Sequence, residues 1–176
     1  MWLSNGVHVV DRLTWVMASQ AVSVSASIGA RAHYQASDDS ATAFIRYKNG
    51  LAGVAVSVGY ADGAPSYECH VICANGSLRF SQHGKKFVKV GKDDKWEDVP
   101  FDDPPAEFTN EWIAFAESIE KNFEPATPGE WGRHIMEILF AAEQSAITGR
   151  EVLLESGPGW TTQTSGSPVT TRHGWI

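Results

Sequence analysis

The sequence predicts an α+β fold: an open, mainly antiparallel β-sheet with helices packed on one face. Three observations carry that reading. Residues 22–29 alternate apolar and small polar side chains with a period of two. Asn-Gly pairs at 49–50 and 75–76 each sit between strand-like runs, and Asn-Gly is the residue pair that a two-residue hairpin turn favours. Apolar residues from 108 onward recur at helical spacing, so helices stand before and after the strands instead of alternating with them.

The elements follow in order. A helix is predicted over 5–18, with Val7, Val10, Thr14 and Met17 on one face and Leu13 beside them. Strands follow at 22–29, 41–48 and 51–60, the last two joined by Asn49-Gly50, and residues 61–65 end the run. Residues 67–74 and 77–82 form a second hairpin across Asn75-Gly76. The Lys85-Lys86 pair reads as a solvated turn, 87–90 as a short strand, and the acidic, proline-bearing stretch 93–105 as a loop.

Phe108, Trp112, Phe115, Ala116, Ile119 and Phe123 then mark a helix, with Trp112 expected in the core. The next helix opens at Thr127-Pro128-Gly129-Glu130, with Thr127 as cap, Pro128 at the first position and Glu130 completing a capping box. Trp131, Ile135, Ile138, Leu139, Ala142 and Ala146 make its buried stripe, and Gly149 is its C-terminal glycine. Residues 151–154 form a last short strand. The expected organisation is one domain over 1–155 and a Gly/Ser/Thr/Pro-rich tail over 156–176, with Trp160 and Trp175 as candidate anchors.

Composition bounds the function. The 14 basic and 21 acidic residues leave a net charge of −7, and no Lys/Arg stripe interrupts it, which argues against a nucleic-acid partner. No apolar run reaches the ~18 residues of a membrane-spanning helix. Cys69 and Cys73 lie four apart on one predicted strand, about 13 Å from each other by strand rise, too far to bridge. They read as reduced, core-facing thiols, hence a cytoplasmic setting. His33, His70, His83, His134 and His173 share no metal-ligand spacing. Neither Gly50, Gly53 and Gly59 nor Gly157 and Gly159 have the Gly-x-Gly-x-x-Gly spacing ahead of a helix that cradles a dinucleotide phosphate, so no cofactor-binding residue is assigned.

The chemistry-bearing residues cluster at the start. His8 and Asp11 lie three apart at the head of the first helix, with Ser4, Asn5 and Arg12 nearby. An imidazole is the natural proton acceptor near neutral pH, and the neighbours are able to hydrogen-bond a ligand's hydroxyl groups. The plainer alternative for each is structural: a helix-start histidine bonded locally, Asp11 orienting His8 or a backbone group, Asn5 as cap and Arg12 as solvated cation. A Ser4-His8-Asp11 hydrolase triad is disfavoured, since all three lie on one short segment without a nucleophile elbow.

Several segments resemble one known family. They are Asn-Gly-Val-His-Val-Val-Asp at 5–11, Tyr-Lys-Asn-Gly-Leu-Ala-Gly at 47–53 and Ala-Asn-Gly-Ser-Leu at 74–78. Two more are Glu-Trp-Ile-Ala-Phe-Ala-Glu-Ser-Ile at 111–119 and Ala-Ala-Glu-Gln-Ser-Ala-Ile-Thr-Gly-Arg-Glu-Val at 141–152. In this order the chain resembles the C-terminal domain of the Gfo/Idh/MocA oxidoreductases, the relatives of glucose-fructose oxidoreductase and inositol dehydrogenase. The resemblance implies an enzyme whose N-terminal Rossmann domain binds NAD or NADP, while this domain contacts the sugar or polyol and forms the oligomer interface. It makes His8 the catalytic residue. The aspartate that often stands four positions earlier is Ser4 here, and the family's lysine belongs to the Rossmann domain.

The expected function is therefore the substrate-binding and oligomerisation domain of an NAD(P)-dependent sugar or polyol oxidoreductase, without its nucleotide-binding domain and inactive in hydride transfer alone. Its expected partners are a small sugar-like ligand, a second copy packed on the open sheet face and a separate Rossmann-domain chain. That face is expected to carry Ser23, Ser25 and Ser27 and either Phe44 or Ile45. The alternatives are a free-standing dimerisation or protein-interaction module, and a lyase or isomerase that uses His8 on a sugar-like ligand.

Overall fold

The computed structural model describes residues 1–31, 33, 36–59, 66–81, 87–102 and 108–157. Lys85-Lys86, the break at 61–65, His83, His173, Trp160 and Trp175 lie outside the described residues. The chain divides into two compact units, one of residues 1–61 and 126–176, the other of residues 62–125.

The first unit holds the main core. A π-helical segment, Trp2–Gly6, runs into α1 (Val7–Met17), which ends at Ala18 in the left-handed conformation, φ 47°. Three strands follow, β1 (Ala21–Gly29), β2 (Ser40–Tyr47) and β3 (Ala52–Val58). Helix α3 (Gly129–Thr148) and the short β8 (Val152–Leu153) close the unit. The sheet order is β3-β2-β1-β8, with every neighbouring pair antiparallel. Gly50, with φ 85°, takes the hairpin turn between β2 and β3 that the Asn-Gly pair predicts.

Strand periodicity decides the two faces. Ala41, Ala43, Ile45 and Tyr47 of β2 are buried, and Thr42, Phe44 and Arg46 between them are exposed. Phe44, not Ile45, thus occupies the outer face. It pairs with Ser25 and Val54, and Val56 and Val58 continue that face along β3. On the inner face Val10, Val24, Ile45, Ile138 and Leu139 are fully buried; each such side chain contributes roughly 1.5–3 kcal/mol. Trp2 is fully buried too, and its indole Nε1–H donates to the Leu139 carbonyl at 3.1 Å.

The second unit holds β4 (Glu68–Cys73), β5 (Gly76–Ser81), β6 (Phe87–Lys92), β7 (Lys95–Asp98) and α2 (Thr109–Glu120). These strands form a separate antiparallel sheet in the order β4-β5-β6-β7. The α+β class holds, with the strands shared between two sheets.

Four local expectations are corrected. Residues 95–98 of the predicted loop are strand β7, because Asp93 and Asp94 both adopt positive φ (51° and 60°) and make a tight hairpin turn without glycine. Pro128, extended at φ −71° and ψ 173°, is the N-cap of α3, and no side chain caps it, so the Thr127/Glu130 capping box does not form. Trp112 is 70% exposed, and Phe108, Phe115 and Ile119 are exposed with it; a periodic stripe predicts that a helix has an apolar face, not what covers it. Cys69 is half-buried but Cys73, at the end of β4, is exposed.

Candidate functional site

The head of α1 and the first turns of α3 form a pocket of about 230 Å³ lined by Val7, His8, Asp11, Trp131, Gly132, Ile135 and Met136. The helical repeat builds both walls. Residues three and four apart share a face, which sets Val7, His8 and Asp11 together on α1 and Trp131, Ile135 and Met136 together on α3. Trp131 and Ile135 are buried and supply an apolar floor, while His8 is exposed at the mouth. A β-carbon built on Gly132 would meet nothing within 4 Å, so this glycine leaves the mouth open.

The acid of the pair is tied down. The Trp131 indole Nε1–H donates to Asp11 Oδ1 at 2.6 Å, and Trp15 meets the Trp131 ring edge-on at 6.3 Å between centroids. Asp11 thus bonds the opposite helix wall where the sequence suggested His8 or a neighbouring backbone group. The volume falls below the roughly 300–1,000 Å³ of drug-sized sites.

Of the residues singled out in the sequence, the pocket brings together His8 and Asp11. Ser4, Asn5 and Arg12 are not among its lining residues; Ser4 Oγ donates to the Met1 carbonyl at 3.1 Å. The wall on α3 was readable only as a core stripe, because spacing within one helix says nothing about which helix faces it.

A second polar cluster lies on α3, inside the core. His134 is fully buried. Its Nε2 accepts from the Ala21 amide at 3.1 Å, which leaves the proton on Nδ1, 3.2 Å from Ser156 Oγ. The Ser156 hydroxyl donates in turn to Glu137. Burial pushes the His134 pKa down. Burial also acts against the Glu137 carboxylate, but the Ser156 hydroxyl and the Glu155 and Ser156 amides outweigh it and hold that carboxyl below its usual range. Every polar atom is engaged and the imidazole is enclosed, so the cluster fastens the segment after β8 to α3 and β1.

The glycines of the β2–β3 region have packing roles. Gly50 makes the turn, and a β-carbon on Gly53 would stand 2.7 Å from Leu13 Cδ1, so Gly53 lets α1 approach β3. They lie in a β-hairpin, not at a helix start where glycines cradle a dinucleotide phosphate. Among the described residues no three His, Cys, Asp or Glu side chains gather to hold a metal ion, and no helix is long and apolar enough to cross a membrane.

Comparison with known proteins bears on the segment that carries His8. Residues 1–79 match the family model of the GFO/IDH/MocA C-terminal domain. The chain resembles the C-terminal domain of the Gfo/Idh/MocA oxidoreductases in fold as well. It is similar to aldose-aldose oxidoreductase from Caulobacter crescentus complexed with glycerol: 16% identity, TM-score 0.73, 85% of this chain and 46% of that one covered. An oxidoreductase from Agrobacterium radiobacter in complex with NAD+, L-tartaric acid and magnesium matches at 16% identity and TM-score 0.71, over 87% and 48%. The WlbA dehydrogenase from Bordetella pertussis in complex with NADH and UDP-GlcNAcA matches at 18% identity and TM-score 0.69, over 89% and 46%. The chain spans about half the length of these structures. No curated protein matches it.

The part that matches the Gfo/Idh/MocA model carries Ser4, Asn5, His8, Asp11 and Arg12. The α3 wall of the pocket, from Trp131 to Met136, lies beyond it.

Proposed function

We propose that this chain is the substrate side of an NAD(P)-dependent oxidoreductase acting on a sugar or polyol, with His8 as the acid/base and the outer face of the β3-β2-β1-β8 sheet as a self-association surface. The observation that carries the reading is the pocket itself, in which His8 and the anchored Asp11 stand over the apolar floor of Trp131 and Ile135. Oxidising an alcohol carbon to a carbonyl releases a hydride and a hydroxyl proton. The imidazole of His8 takes the proton; a nicotinamide, bound by residues outside this pocket, would supply the hydride acceptor. Asp11, fixed by Trp131, accepts a hydrogen bond from a second hydroxyl and sets the orientation of the ring. The partner that holds the nicotinamide is a Rossmann domain, in the same protein or on a separate chain.

Self-association rests on chemistry visible on the outer face. Phe44, Val54, Val56, Val58 and Leu153 are exposed there, beside the ion pair of Arg46 Nε and Glu151 Oε1 at 3.2 Å. A flat apolar face of this kind suits a second copy of itself.

Titration of the chain with myo-inositol and with glucose, followed by the ring resonances of His8, tests the ligand reading. The expected result is a saturable shift of those resonances that Gly132→Leu prevents. A His8 signal that ignores both probes overturns it. Light scattering tests the second part: a dimer is expected, and Val54→Lys with Val56→Lys makes it a monomer.

A further inference from the structure

The sheet of the second unit carries an aromatic platform beside an open cleft. Its strand order places the β4–β5 and β6–β7 turns at one end of the sheet, with Ser77 opposite Gly91 and Gly91 opposite Trp96. A β-carbon built on Gly91 would stand 3.1 Å from Cε3, Cζ3 and Cη2 of Trp96 alike, so the six-membered ring lies flat over the Gly91 backbone. A side chain at 91 would push the ring outward by a few tenths of an ångström. The indole is nevertheless 43% exposed, which leaves its outer side to solvent.

His70 holds the ring from its edge and Arg79 lies over it. His70 meets it edge-on at 5.8 Å between centroids. The Arg79 guanidinium stands 5.7 Å from its centroid and is itself anchored to Glu68 Oε2 at 2.5 Å. Around the platform runs a cleft of about 850 Å³ lined by residues 74–77 and 91–96. Its rim offers the Asn75 amide, the Ser77 hydroxyl, the Asp93 and Asp94 carboxylates and the Lys95 ammonium.

We propose that this cleft is a carbohydrate-binding site, separate from the pocket on α1 and α3, in which a neutral pyranose stacks its C–H face on Trp96. The chemistry matches on both sides. A flat indole with one face against the sheet loses no further freedom on binding and presents a rigid apolar surface. The rim is rich in acceptors, which a sugar's many hydroxyl donors satisfy and a planar heteroaromatic ring does not. Lysine 95 balances part of the acidic charge, so the site has no strong preference for an ion.

The test is a titration of the whole chain with methyl β-D-glucopyranoside, followed by amide and indole N–H resonances. Shifts are expected at the Trp96 Nε1–H and at the Gly91 and Ser77 amides. They persist in Gly132→Leu, which fills the other pocket. Trp96→Ala removes the Gly91 and Ser77 shifts. Trp96→Phe, which keeps a smaller ring on β7 and guards against a folding defect, weakens binding by about tenfold, close to 1.4 kcal/mol. The proposal is overturned if the sugar moves none of these resonances, if Trp96→Phe binds as well as the native chain, or if only a planar aromatic probe such as caffeine shifts them.

Discussion

Trp131 donates its indole N–H to Asp11 at 2.6 Å and thereby ties α3 to α1 across the floor of the candidate pocket. The bond has a charged acceptor and lies partly out of solvent, the setting in which a hydrogen bond contributes about 1.5–3 kcal/mol. Trp131→Phe is expected to destabilise the fold by that amount in urea, plus a smaller packing loss. Asp11→Asn keeps an acceptor and costs less. A double-mutant cycle measures the pair directly; a coupling near zero would mean the two side chains do not act together.

Gly132 separates stability from binding. It is an exposed glycine within α3 whose β-carbon would meet nothing within 4 Å. Gly132→Ala should raise stability by about 1 kcal/mol, the helix-propensity difference. Gly132→Leu is equally tolerated by the fold but fills the pocket mouth, so binding of a polyol disappears while the urea midpoint does not fall.

Gly6 carries the opposite sign. It too is helical, but a β-carbon there would stand 2.9 Å from Trp2 Cδ2, and Trp2 is fully buried with its indole bonded to the Leu139 carbonyl. The ring has nowhere to move. Gly6→Ala is expected to lower stability by about 1–3 kcal/mol, seen as a lower melting temperature, despite the gain in helix propensity.

His134 makes the fold acid-sensitive. Burial lowers its pKa in the folded state, so the unfolded chain takes up a proton first as pH falls. The stability linked to this residue is complete above the unfolded value near ~6.5 and is lost as pH drops from there through the lower folded value. Protonation would also turn Nε2 from acceptor to donor and break its bond from Ala21 N–H. Unfolding free energies measured between about pH 7 and 5 should fall more steeply for the native chain than for His134→Gln; parallel curves would exclude the linkage.

Much of the fold was legible from side-chain periodicity. The alternation at 22–29 and both Asn-Gly turns gave β1, the β2–β3 hairpin and the β4–β5 hairpin within one or two residues. Strand β7 was not legible, because its turn is Asp93-Asp94, two residues that reach positive φ without the glycine that marks such turns. The candidate site was half legible. His8 and Asp11 stood out by type and spacing, but Trp131 and Gly132, more than a hundred positions away, could not be joined to them by any local pattern.

The sequence by itself determined the class of fold, the alternation of faces along the first strand and the residue types able to move a proton. These are short-range properties, set by a repeat of two in strands and of about 3.6 in helices. Only the tertiary structure decided which faces meet. It placed α3 against α1 to make the pocket, gave Asp11 to Trp131, enclosed His134 with Ser156, and left Trp112 and the valines of β3 in solvent. An apolar stripe or a carboxylate states that a partner is needed; the packing of distant segments chooses which one.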